Sequence, residues 1–386
     1  MPYYRELFRS CGLVEDGGVD VSRFGRLPLL TRKDVRDNYG QLTSTDSGAR
    51  RVYEDHTGGS TGEPLQILKD NVCDSWVIAT VRYYFKEFLG LDYLGSRKFL
   101  LGTPFREPPN GLSGWATLRL SNAVYYVTGR LSDAVMEGHV RALNSYRADV
   151  VICYPSALYE VLKFIERRGL RVPKPKAVIC SSEVLQDFIR EKAEEVFGTK
   201  VHDFYGANEA NAIAGECERG SMHVFTFNNL VETVEADGLG GAGKVVVTPL
   251  HNFTMPLLRY ENDDLALPGG GRCGCGSPLP TMGKIVGRTM EYFVREDGGL
   301  VHAFRIMPLF NTNRSIRAFQ VIQEDYGRVR VLVVTEKGER GWQERAEEGM
   351  RALMGPDCRV VWEFVDEVPR TPLGKHLYVK SLVHRD

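Results

Sequence analysis

The fold is indicated by residues 201–209, which have the sequence VHDFYGANE. The first four residues form a short, largely apolar run, and Tyr205 and Gly206 follow it without a break. Short apolar runs that end near glycine are typical of strands in a buried sheet. In parallel α/β sheets, ligands bind at the carboxyl ends of the strands. The stretch therefore predicts a strand that presents Tyr205, Gly206 and Glu209 to a ligand.

The same arrangement of strand, loop and helix recurs before this stretch. Three further apolar runs of strand length occupy residues 98–101, 149–153 and 177–180. A helical pattern begins at Pro155, and another is expected to open at residues 181–183 and continue toward Phe197. This alternation predicts a parallel α/β layer. Ser182 and Glu183 follow the last of the three runs and are therefore candidate cofactor-binding residues.

The pattern changes in the last third of the chain. Runs typical of strands and turns follow residue 240, and a hinge is expected near Arg288. The remainder combines strand-like and helical runs in a small α+β segment. A length of 386 residues is consistent with two domains. We therefore predict the class α/β, with a large N-terminal domain of layered sheets at residues 1–288 and a small α+β domain at residues 289–386.

A loop rich in glycine and hydroxyl residues is formed by Thr57, Gly58, Gly59, Ser60, Thr61 and Gly62. Glycines let several backbone N–H groups point into one concavity, and hydroxyls add further donors, which favours a phosphate-binding cradle. The spacing differs both from the Walker pattern and from GxGxxG. A plain surface turn is the alternative interpretation.

Four motifs follow one another along the chain, at residues 57–62, 205–209, 259–264 (RYENDD) and 370–375 (RTPLGK). In this order they resemble the adenylate-forming superfamily of acyl-CoA synthetases. Within it, the sequence is most similar to the branch of phenylacetate-CoA ligases and CapK/coenzyme F390 synthetase-like proteins. The likeness covers most of the chain. It implies that residues 289–386 are a small mobile C-terminal lid domain.

The resemblance also implies two catalytic residues. Lys375 would reach the α-phosphate and carboxylate oxygens as charge develops in the transition state. Glu209 would bind Mg²⁺ that bridges the phosphates. The alternative for Lys375 is a surface lysine in a turn. The alternative for Glu209 is an acid that stabilises the N-terminus of a helix.

The remaining expected contacts are with the nucleotide. The loop at residues 57–62 would hold the β- and γ-phosphates, and Tyr205 would lie against the adenine or the acyl-adenylate. Asp264 would accept both ribose hydroxyls, and Arg288 would also contact the sugar. Ser182, Glu183 and Gly206 are added as strand-end residues. The alternative for Tyr205 is an aromatic residue of the core.

The activity implied by this likeness is that of an ATP-dependent, AMP-forming acid–thiol ligase. It would activate a carboxylic acid, expected to be an aryl acid, as an acyl-adenylate and transfer the acyl group to coenzyme A. ATP, Mg²⁺ and coenzyme A are the expected cofactors. A small-molecule carboxylic acid is the expected partner.

Two alternatives stay open. The acceptor could be an amine, or a cofactor hydroxyl that receives AMP itself. The chain could also be a non-catalytic, zinc-stabilised scaffold, an interpretation favoured by Glu63, which stands where family loops often carry lysine, and by the altered hinge at residues 289–291. The scaffold interpretation is disfavoured because the chain has all four polar residues expected of an enzyme, Glu209, Asp264, Arg288 and Lys375.

A structural zinc site is predicted from four residues, Cys217, His223, Cys273 and Cys275. Two cysteines that are two positions apart and flanked by glycine can bend onto one ion, and three cysteines with one histidine form a common closed zinc set. Some proteins of the phenylacetate-ligase branch carry a similar set. The alternative is that the four residues are unrelated.

Composition excludes several classes of protein. The formal net charge is −1 and the isoelectric point is about 6.7, so we expect no nucleic-acid partner. We expect no membrane span, because no run of 18 apolar residues exists. The first residues lack an apolar signal core, and the eight cysteines are scattered along the chain, so a cytoplasmic protein is expected. A homodimer is left open.

Overall fold

The structure is a computed structural model, and it describes residues 1–15, 18–56, 65–102, 111–126, 132–235, 241–288, 292–311, 313, 315–335, 341–369 and 376–383. Within this part of the chain, α-helices and β-strands are mixed throughout. The chain divides into two compact units. Unit 1 is built from Met1–Gly95, His202–Glu235 and Gly243–Lys284. Unit 2 is built from Ser96–Val201, Ala236–Ala242 and Ile285–Asp386.

The α-helices of the described residues are α1 Pro2–Ser10, α2 Arg32–Asp37, α3 Tyr39–Leu42, α4 Asn71–Glu87, α5 Gly111–Leu120, α6 Asp133–Tyr146, α7 Pro155–Arg167, α8 Asp187–Phe197, α9 Ala303–Ile306, α10 Pro308–Asn311 and α11 Trp342–Met354. Short 3₁₀ helices lie at Val21–Arg26 and Ser47–Ala49. None of the helices in the described ranges is long and apolar enough to cross a membrane.

The strands of the described residues are β1 Val14–Glu15, β2 Gly18–Val19, β3 Val52–His56, β4 Gln66–Asp70, β5 Lys98–Leu101, β6 Ala123–Tyr126, β7 Val150–Cys153, β8 Ala177–Ser181, β9 Val201–Ala207, β10 Asn211–Glu216, β11 Met222–Val224, β12 Asn229–Glu235, β13 Gly243–Pro249, β14 Tyr260–Ala266, β15 Thr281–Met282, β16 Ile285–Arg288, β17 Tyr292–Val294, β18 Leu300–His302, β19 Ile316–Asp325, β20 Arg328–Thr335, β21 Arg359–Phe364 and β22 Val379–Ser381.

Unit 1 is dominated by antiparallel pairing. Strands β9, β10, β11 and β15 pair antiparallel in that order, and β12, β13 and β14 form a second antiparallel set. Strands β3 and β4 form a hairpin. Helix α4 buries Tyr84, whose ring contacts Phe204 of β9 at a centroid distance of 5.0 Å. This aromatic contact packs α4 against β9, the strand that carries Tyr205.

Unit 2 contains the predicted parallel layer. Strands β8, β7, β5 and β6 lie side by side in that order, all parallel. Helix α7 packs its apolar stripe, Leu158, Leu162 and Ile165, into the core of this layer. The residues of this stripe recur at the spacing of a helix with one buried face.

The C-terminal part of unit 2 has its own core. Strands β21, β20, β19 and β22 form a sheet in that order, with β19 and β20 antiparallel and both outer strands parallel to their neighbours. Buried residues of the sheet, such as Val321 and Val331, share a core with Met350 of α11. This is the α+β arrangement expected for the last third of the chain.

The predicted strands agree closely with the observed ones. The apolar runs at 98–101, 149–153, 177–180 and 201–204 form β5, β7, β8 and β9. One helix differs: it was expected to open at residues 181–183, and it begins at Asp187. Ser182 has a φ of +70°, which no helical residue adopts, so the chain turns away from the strand before the helix begins. The domain boundary after residue 288 remains a prediction.

Candidate functional site

Tyr205 and Asp264 meet in the interior of unit 1. The Tyr205 hydroxyl donates a hydrogen bond of 2.7 Å to Oδ2 of Asp264. Nδ2 of Asn262 donates to the Tyr205 hydroxyl at 2.7 Å and to Oδ2 of Asp264 at 3.2 Å. All three side chains are buried. Two donors therefore fix the orientation of the Asp264 carboxylate.

A β-bulge directs Asp264 toward Tyr205. The pairing of β13 with β14 shifts its register between Lys244 and Val246, opposite the segment that contains Asp263. Asp263 has a φ of +63°, in the left-handed region. Bulges bend a strand and redirect its side chains, and they are common beside active sites. A non-glycine residue in this conformation is strained, which is itself an indication of a functional position.

Glu209 is also buried, and two residues stabilise its carboxylate. The Tyr260 hydroxyl donates a hydrogen bond of 3.2 Å to Oε1 of Glu209. Nη1 of Arg32 lies 3.9 Å from the same oxygen. Burial raises the pKa of Tyr260, and the nearby Glu209 charge raises it further. A buried carboxylate needs such a donor and a positive charge nearby, because removing it from water is costly. We call Arg32, Tyr205, Glu209, Tyr260, Asn262 and Asp264 the acidic cluster.

The residue that precedes the glycine-rich loop is hydrogen-bonded to the neighbour of Glu209. Residues 57–62 lie outside the described part of the chain, but His56, at the end of β3, is described. Nδ2 of Asn208 donates a hydrogen bond of 3.0 Å to the backbone carbonyl of His56. Asn208 immediately precedes Glu209, so His56 lies close to the acidic cluster.

A buried lysine, Lys69, lies between the β3–β4 hairpin and the start of β10. The Lys69 ammonium on β4 donates to Oδ2 of Asp55 at 2.5 Å and to Oδ1 of Asn211 at 3.0 Å. Asn211 begins β10, directly after the Tyr205–Glu209 stretch. The ammonium therefore joins the β3–β4 hairpin to the turn that carries Glu209.

Gly206 is required by strand packing. A Cβ atom added to Gly206 would lie 2.5 Å from the backbone carbonyl oxygen of Asn211 on the neighbouring strand β10. Real Cβ atoms do not approach backbone oxygen so closely, so any side chain would force β9 and β10 apart. This close approach accounts for the glycine, and a contact between Gly206 and a cofactor stays a prediction.

Three predicted residues lie in unit 2. Glu183 accepts hydrogen bonds from the backbone N–H and the hydroxyl of Ser156, at 2.9 and 3.0 Å, so it stabilises the N-terminal end of α7. It also accepts the backbone N–H of His376 at 3.3 Å. Ser182 precedes it in the left-handed conformation, and Arg288 ends β16. Lys375 lies outside the described residues.

The predicted zinc ligands form one group in unit 1. The ligand atoms of Cys217, His223, Cys273 and Cys275 all lie within 4.8 Å of one another. The Sγ atoms of Cys217 and Cys273 are 3.6 Å apart, and Sγ of Cys275 is 3.3 Å from Nε2 of His223. We call these four residues the cysteine–histidine cluster.

The chemistry of this cluster suits a metal. Nδ1 of His223 lies 2.9 Å from the backbone carbonyl of Leu279, which can only accept, so Nδ1 carries the proton and the Nε2 lone pair faces the sulfurs. Hydrogen bonds from the side chain of Ser221 and from the backbone of Cys275 lower the pKa of the Cys273 thiol to about 6. Burial raises the pKa of Cys217. An ionised thiolate is the form that binds zinc.

Sequence reasoning missed three members of the acidic cluster. Tyr260 and Asn262 could have been found from Asp264, which was predicted. Residues two apart on a strand face the same side, so Tyr260 and Asn262 are expected on the side of Asp264. No local signal identifies Arg32. It lies more than 170 residues from Glu209 in sequence, and only the fold brings the two together.

Comparisons with known proteins agree with this structure. Residues 293–382 match the family described as the CapK C-terminal domain. The sequence is similar to Protein CapK of Staphylococcus aureus, with 20% identity over 382 residues, which is 97% of this chain and 83% of that protein. It is also similar to the phenylacetate-coenzyme A ligase of Thermus thermophilus, with 27% identity over 317 residues, which is 76% of this chain and 67% of that one.

Solved structures share the same fold. A 2-hydroxyisobutyryl-CoA ligase, crystallised in the postadenylation state in complex with R3-HIB-AMP, matches with a TM-score of 0.75 and 17% identity. The match covers 98% of this chain and 85% of that chain. At this identity the likeness concerns the fold alone. It confirms the predicted class, a mixed α/β protein with a large N-terminal domain and a smaller C-terminal domain.

Proposed function

Because this chain belongs to the adenylate-forming superfamily, in the branch of CapK and the phenylacetate-CoA ligases, we propose that it activates a carboxylic acid as an acyl-adenylate. ATP is the co-substrate, and pyrophosphate is released. The observation that carries this proposal is the acidic cluster. Two buried carboxylates, Glu209 and Asp264, are each oriented by a tyrosine hydroxyl, and the neighbour of Glu209, Asn208, is hydrogen-bonded to His56.

Asp264 binds the ribose of ATP in this proposal. A carboxylate can accept both sugar hydroxyls, and its hydrogen bonds from Tyr205 and Asn262 hold it in one orientation. Tyr205 lies beside the nucleotide, and Arg288 also contacts the sugar. Ser182, Glu183 and Gly206 line the nucleotide site at the ends of their strands.

Glu209 is the proposed Mg²⁺ ligand. Its buried carboxylate offers the hard oxygen atoms that this ion prefers. When bound, Mg²⁺ would neutralise charge on the phosphates. Residues 57–62 contribute backbone N–H groups and hydroxyls to the β- and γ-phosphates.

The reaction is a displacement at the α-phosphate. A carboxylate oxygen of the acid attacks the α-phosphorus, the bond to the bridging oxygen breaks, and pyrophosphate leaves with its electron pair. Lys375 is the proposed source of positive charge for the transition state. The domain formed by residues 289–386, which carries this lysine, acts as the lid.

An aryl acid is the proposed substrate and coenzyme A the proposed acceptor. The support is the similarity to phenylacetate-coenzyme A ligase, whose name states both. The acyl-adenylate would react with the thiol, forming a thioester and releasing AMP. If the acceptor were an amine, the first half-reaction, formation of the acyl-adenylate, would be unchanged. If AMP were transferred to a cofactor, the nucleotide site would be unchanged.

ATP–pyrophosphate exchange tests the proposal. The assay would use a panel of aryl, fatty and amino acids, with Mg²⁺ and without coenzyme A. Acid-dependent exchange is the expected result, and K375A should lower it about a hundredfold or more while ATP still binds. The matched control is K380A, which removes an exposed lysine of β22. Absence of exchange with every acid, from folded protein, would overturn the proposed adenylation.

We further propose that the cysteine–histidine cluster binds one structural Zn²⁺. Three sulfurs and the Nε2 atom of His223 form a complete tetrahedral set, so no coordination position is left for a substrate. The ion would join the turn after β10 to the loop before β15. Elemental analysis of protein purified without chelator should give about one zinc per chain. Far less than that amount would contradict the proposal.

A further inference from the structure

Glu209 lies in a short turn between β9 and β10. The backbone N–H of Ala210 donates to the carbonyl of Ala207 at 3.2 Å, so Asn208 and Glu209 are the two central residues of a β-turn. Asn211 pairs with Ala207 as the first residue of β10. Because the turn is short, the position of Asn211 determines where the backbone of Glu209 lies.

The side chain of Asn211 ties this turn to β4 and α4. Its Nδ2 atom donates to Sγ of Cys73 at 3.3 Å, and its Oδ1 atom accepts from the Lys69 ammonium at 3.0 Å. Its φ is +58°, in the left-handed region, where asparagine is several-fold enriched among residues other than glycine. Both the backbone conformation and the side-chain amide of Asn211 are therefore specific to this position.

Lys69 projects from a buried junction between β4 and α4. Asp70 follows it and caps α4, accepting the backbone N–H groups of Val72 and Cys73 at 3.0 and 2.9 Å. Asp70 also accepts the hydroxyl of Thr254 at 2.8 Å. The side chain of Lys69 is only 4% exposed, and that of Asp70 only 1%. The ammonium is thus presented to the turn from a well-bonded part of unit 1.

Asp55 links the same ammonium to the end of β3. Its Oδ2 atom accepts from Lys69 at 2.5 Å, and its Oδ1 atom accepts the backbone N–H of His56 at 3.0 Å. The carbonyl of His56 in turn accepts from Nδ2 of Asn208 at 3.0 Å. Strands β3 and β4 therefore contact the turn on both sides of Glu209.

We propose that Lys69 is a positioning residue, which acts through Asn211 to hold Glu209 where its carboxylate binds Mg²⁺. The inference rests on the proposed function, in which Glu209 is the Mg²⁺ ligand. Mg²⁺ demands a nearly ideal arrangement of its oxygen ligands, so a small displacement of one ligand weakens binding. The rival role for Lys69 is purely structural, as the partner that balances the charge of Asp55 and stabilises unit 1.

Two variants break the contact in different ways. K69M keeps the length of the side chain and removes the ammonium, while Asp55, which is 34% exposed, stays accessible to water. N211G removes the amide and leaves the charges of Lys69 and Asp55 in place, and glycine adopts a positive φ without strain. Loss of a residue that orients a metal ligand costs about tenfold to a hundredfold in metal affinity. Each variant should therefore weaken the binding of ATP in the presence of Mg²⁺ about tenfold or more.

Calorimetric titration with ATP, in buffer with excess Mg²⁺ and in buffer with EDTA, separates the two roles. A positioning role predicts that the loss with Mg²⁺ is about tenfold and the change in EDTA less than about twofold. A purely structural role predicts the same change in both buffers. The matched control is K192M, because the Lys192 side chain is 19% exposed and pairs with Glu166 and Glu195 in unit 2. This variant should change neither affinity by more than about twofold.

A double-mutant cycle tests whether Lys69 acts through Glu209. E209Q removes the proposed Mg²⁺ ligand, so adding K69M to E209Q should change the affinity for ATP with Mg²⁺ less than about twofold. A loss as large as the one that K69M causes in the wild type would overturn the inference. Melting temperatures of all variants, measured in parallel, identify any loss that comes from unfolding.

The inference would also be overturned by wild-type affinity of K69M and N211G for ATP with Mg²⁺, or by equal losses in both buffers. A wild type whose affinity for ATP does not depend on Mg²⁺ would overturn it as well. If the wild type shows no pyrophosphate exchange but its Mg²⁺-dependent affinity for ATP still requires Lys69, the proposed adenylation fails and the positioning role stands. If exchange occurs and K69M binds ATP like the wild type, adenylation stands and the positioning role fails.

Discussion

The acidic cluster and the cysteine–histidine cluster lie in the same unit, and they stabilise their buried polar atoms in different ways. In the acidic cluster, Glu209 and Asp264 each receive a hydrogen bond from a tyrosine hydroxyl. In the cysteine–histidine cluster, three sulfurs and one imidazole nitrogen lie against one another. Sulfur is a weak hydrogen-bonding atom, so this group is stabilised poorly by its own members.

This difference predicts how each cluster depends on what it binds. The acidic cluster has protein donors of its own, so the fold should survive without a bound nucleotide. The cysteine–histidine cluster should need its ion, because metal binding supplies free energy that its own contacts do not. Changes in the acidic cluster are therefore expected to affect mainly activity, and changes in the cysteine–histidine cluster mainly stability. Four measurements test this division.

The largest effect is expected from C275S, which removes one of the four proposed zinc ligands. Zinc content should fall well below one per chain, and the free energy of unfolding should fall by roughly 3–5 kcal/mol, as for other losses of a metal or a buried network. Denaturant unfolding and elemental analysis check both results. C358S is the matched control, because Cys358 is a buried cysteine outside the cluster. Equal losses in both variants would show that the cluster has no special role.

E209Q should have the next largest effect, and on activity. The change keeps the size of the side chain and its acceptor for the Tyr260 hydroxyl, but removes the charge that would hold Mg²⁺. Pyrophosphate exchange should fall about a hundredfold or more, with a shift of only a few degrees in melting temperature. E235Q, at an exposed position of β12, serves as the control. A stability loss as large as that of C275S would erase the contrast between the clusters.

Y205F should give a smaller loss. It removes the hydroxyl that orients Asp264 and leaves the aromatic ring in place. We expect the KM for ATP to rise about tenfold, which corresponds to the net value of a hydrogen bond to a charged group. Steady-state kinetics at saturating acid measure it. A change in kcat alone, with the KM for ATP unaltered, would argue that Asp264 does not bind the nucleotide.

His139 gives the smallest effect and a reference outside both clusters. It is buried on α6, its ring lies 5.2 Å from that of Tyr126, and burial lowers its pKa. The unfolded chain binds a proton near pH 6.5 and the folded chain does so only at lower pH. Stability should therefore fall as pH decreases below about 6.5, by at most about 1.4 kcal/mol per pH unit. H139L should reduce this slope in denaturant unfolding measured between pH 7 and 5.

The cysteine–histidine cluster is expected to contribute part of the acid sensitivity that remains in H139L. Protons compete with a metal for thiolates, so loss of zinc on acidification would add to the slope. An identical slope in H139L and wild type would remove His139 as a source of acid sensitivity.

The sequence predicted those parts of the fold that depend on local patterns. The apolar runs at β5, β7, β8 and β9 were recognisable because a buried strand is a continuous apolar segment bounded by turns. The cysteine–histidine cluster was recognisable because two cysteines two positions apart and flanked by glycine are typical of zinc sites. The bulge at Asp263 was not, since aspartate at a positive φ depends on its partner strand. The pairing of Arg32 with Glu209 requires the folded chain.

The division into units has a consequence for how the chain can fold during synthesis. The parallel layer of β5 to β8 comes from one uninterrupted stretch, whereas unit 1 is assembled from three separate segments. Ribosomes deliver the chain from the N-terminus, and contiguous parts can fold as they emerge. Cys217 and His223 must therefore wait for Cys273 and Cys275 before four ligands are together. A nascent chain halted between residues 223 and 260 would hold only two of the four proposed zinc ligands, and its unit 1 would still lack β14.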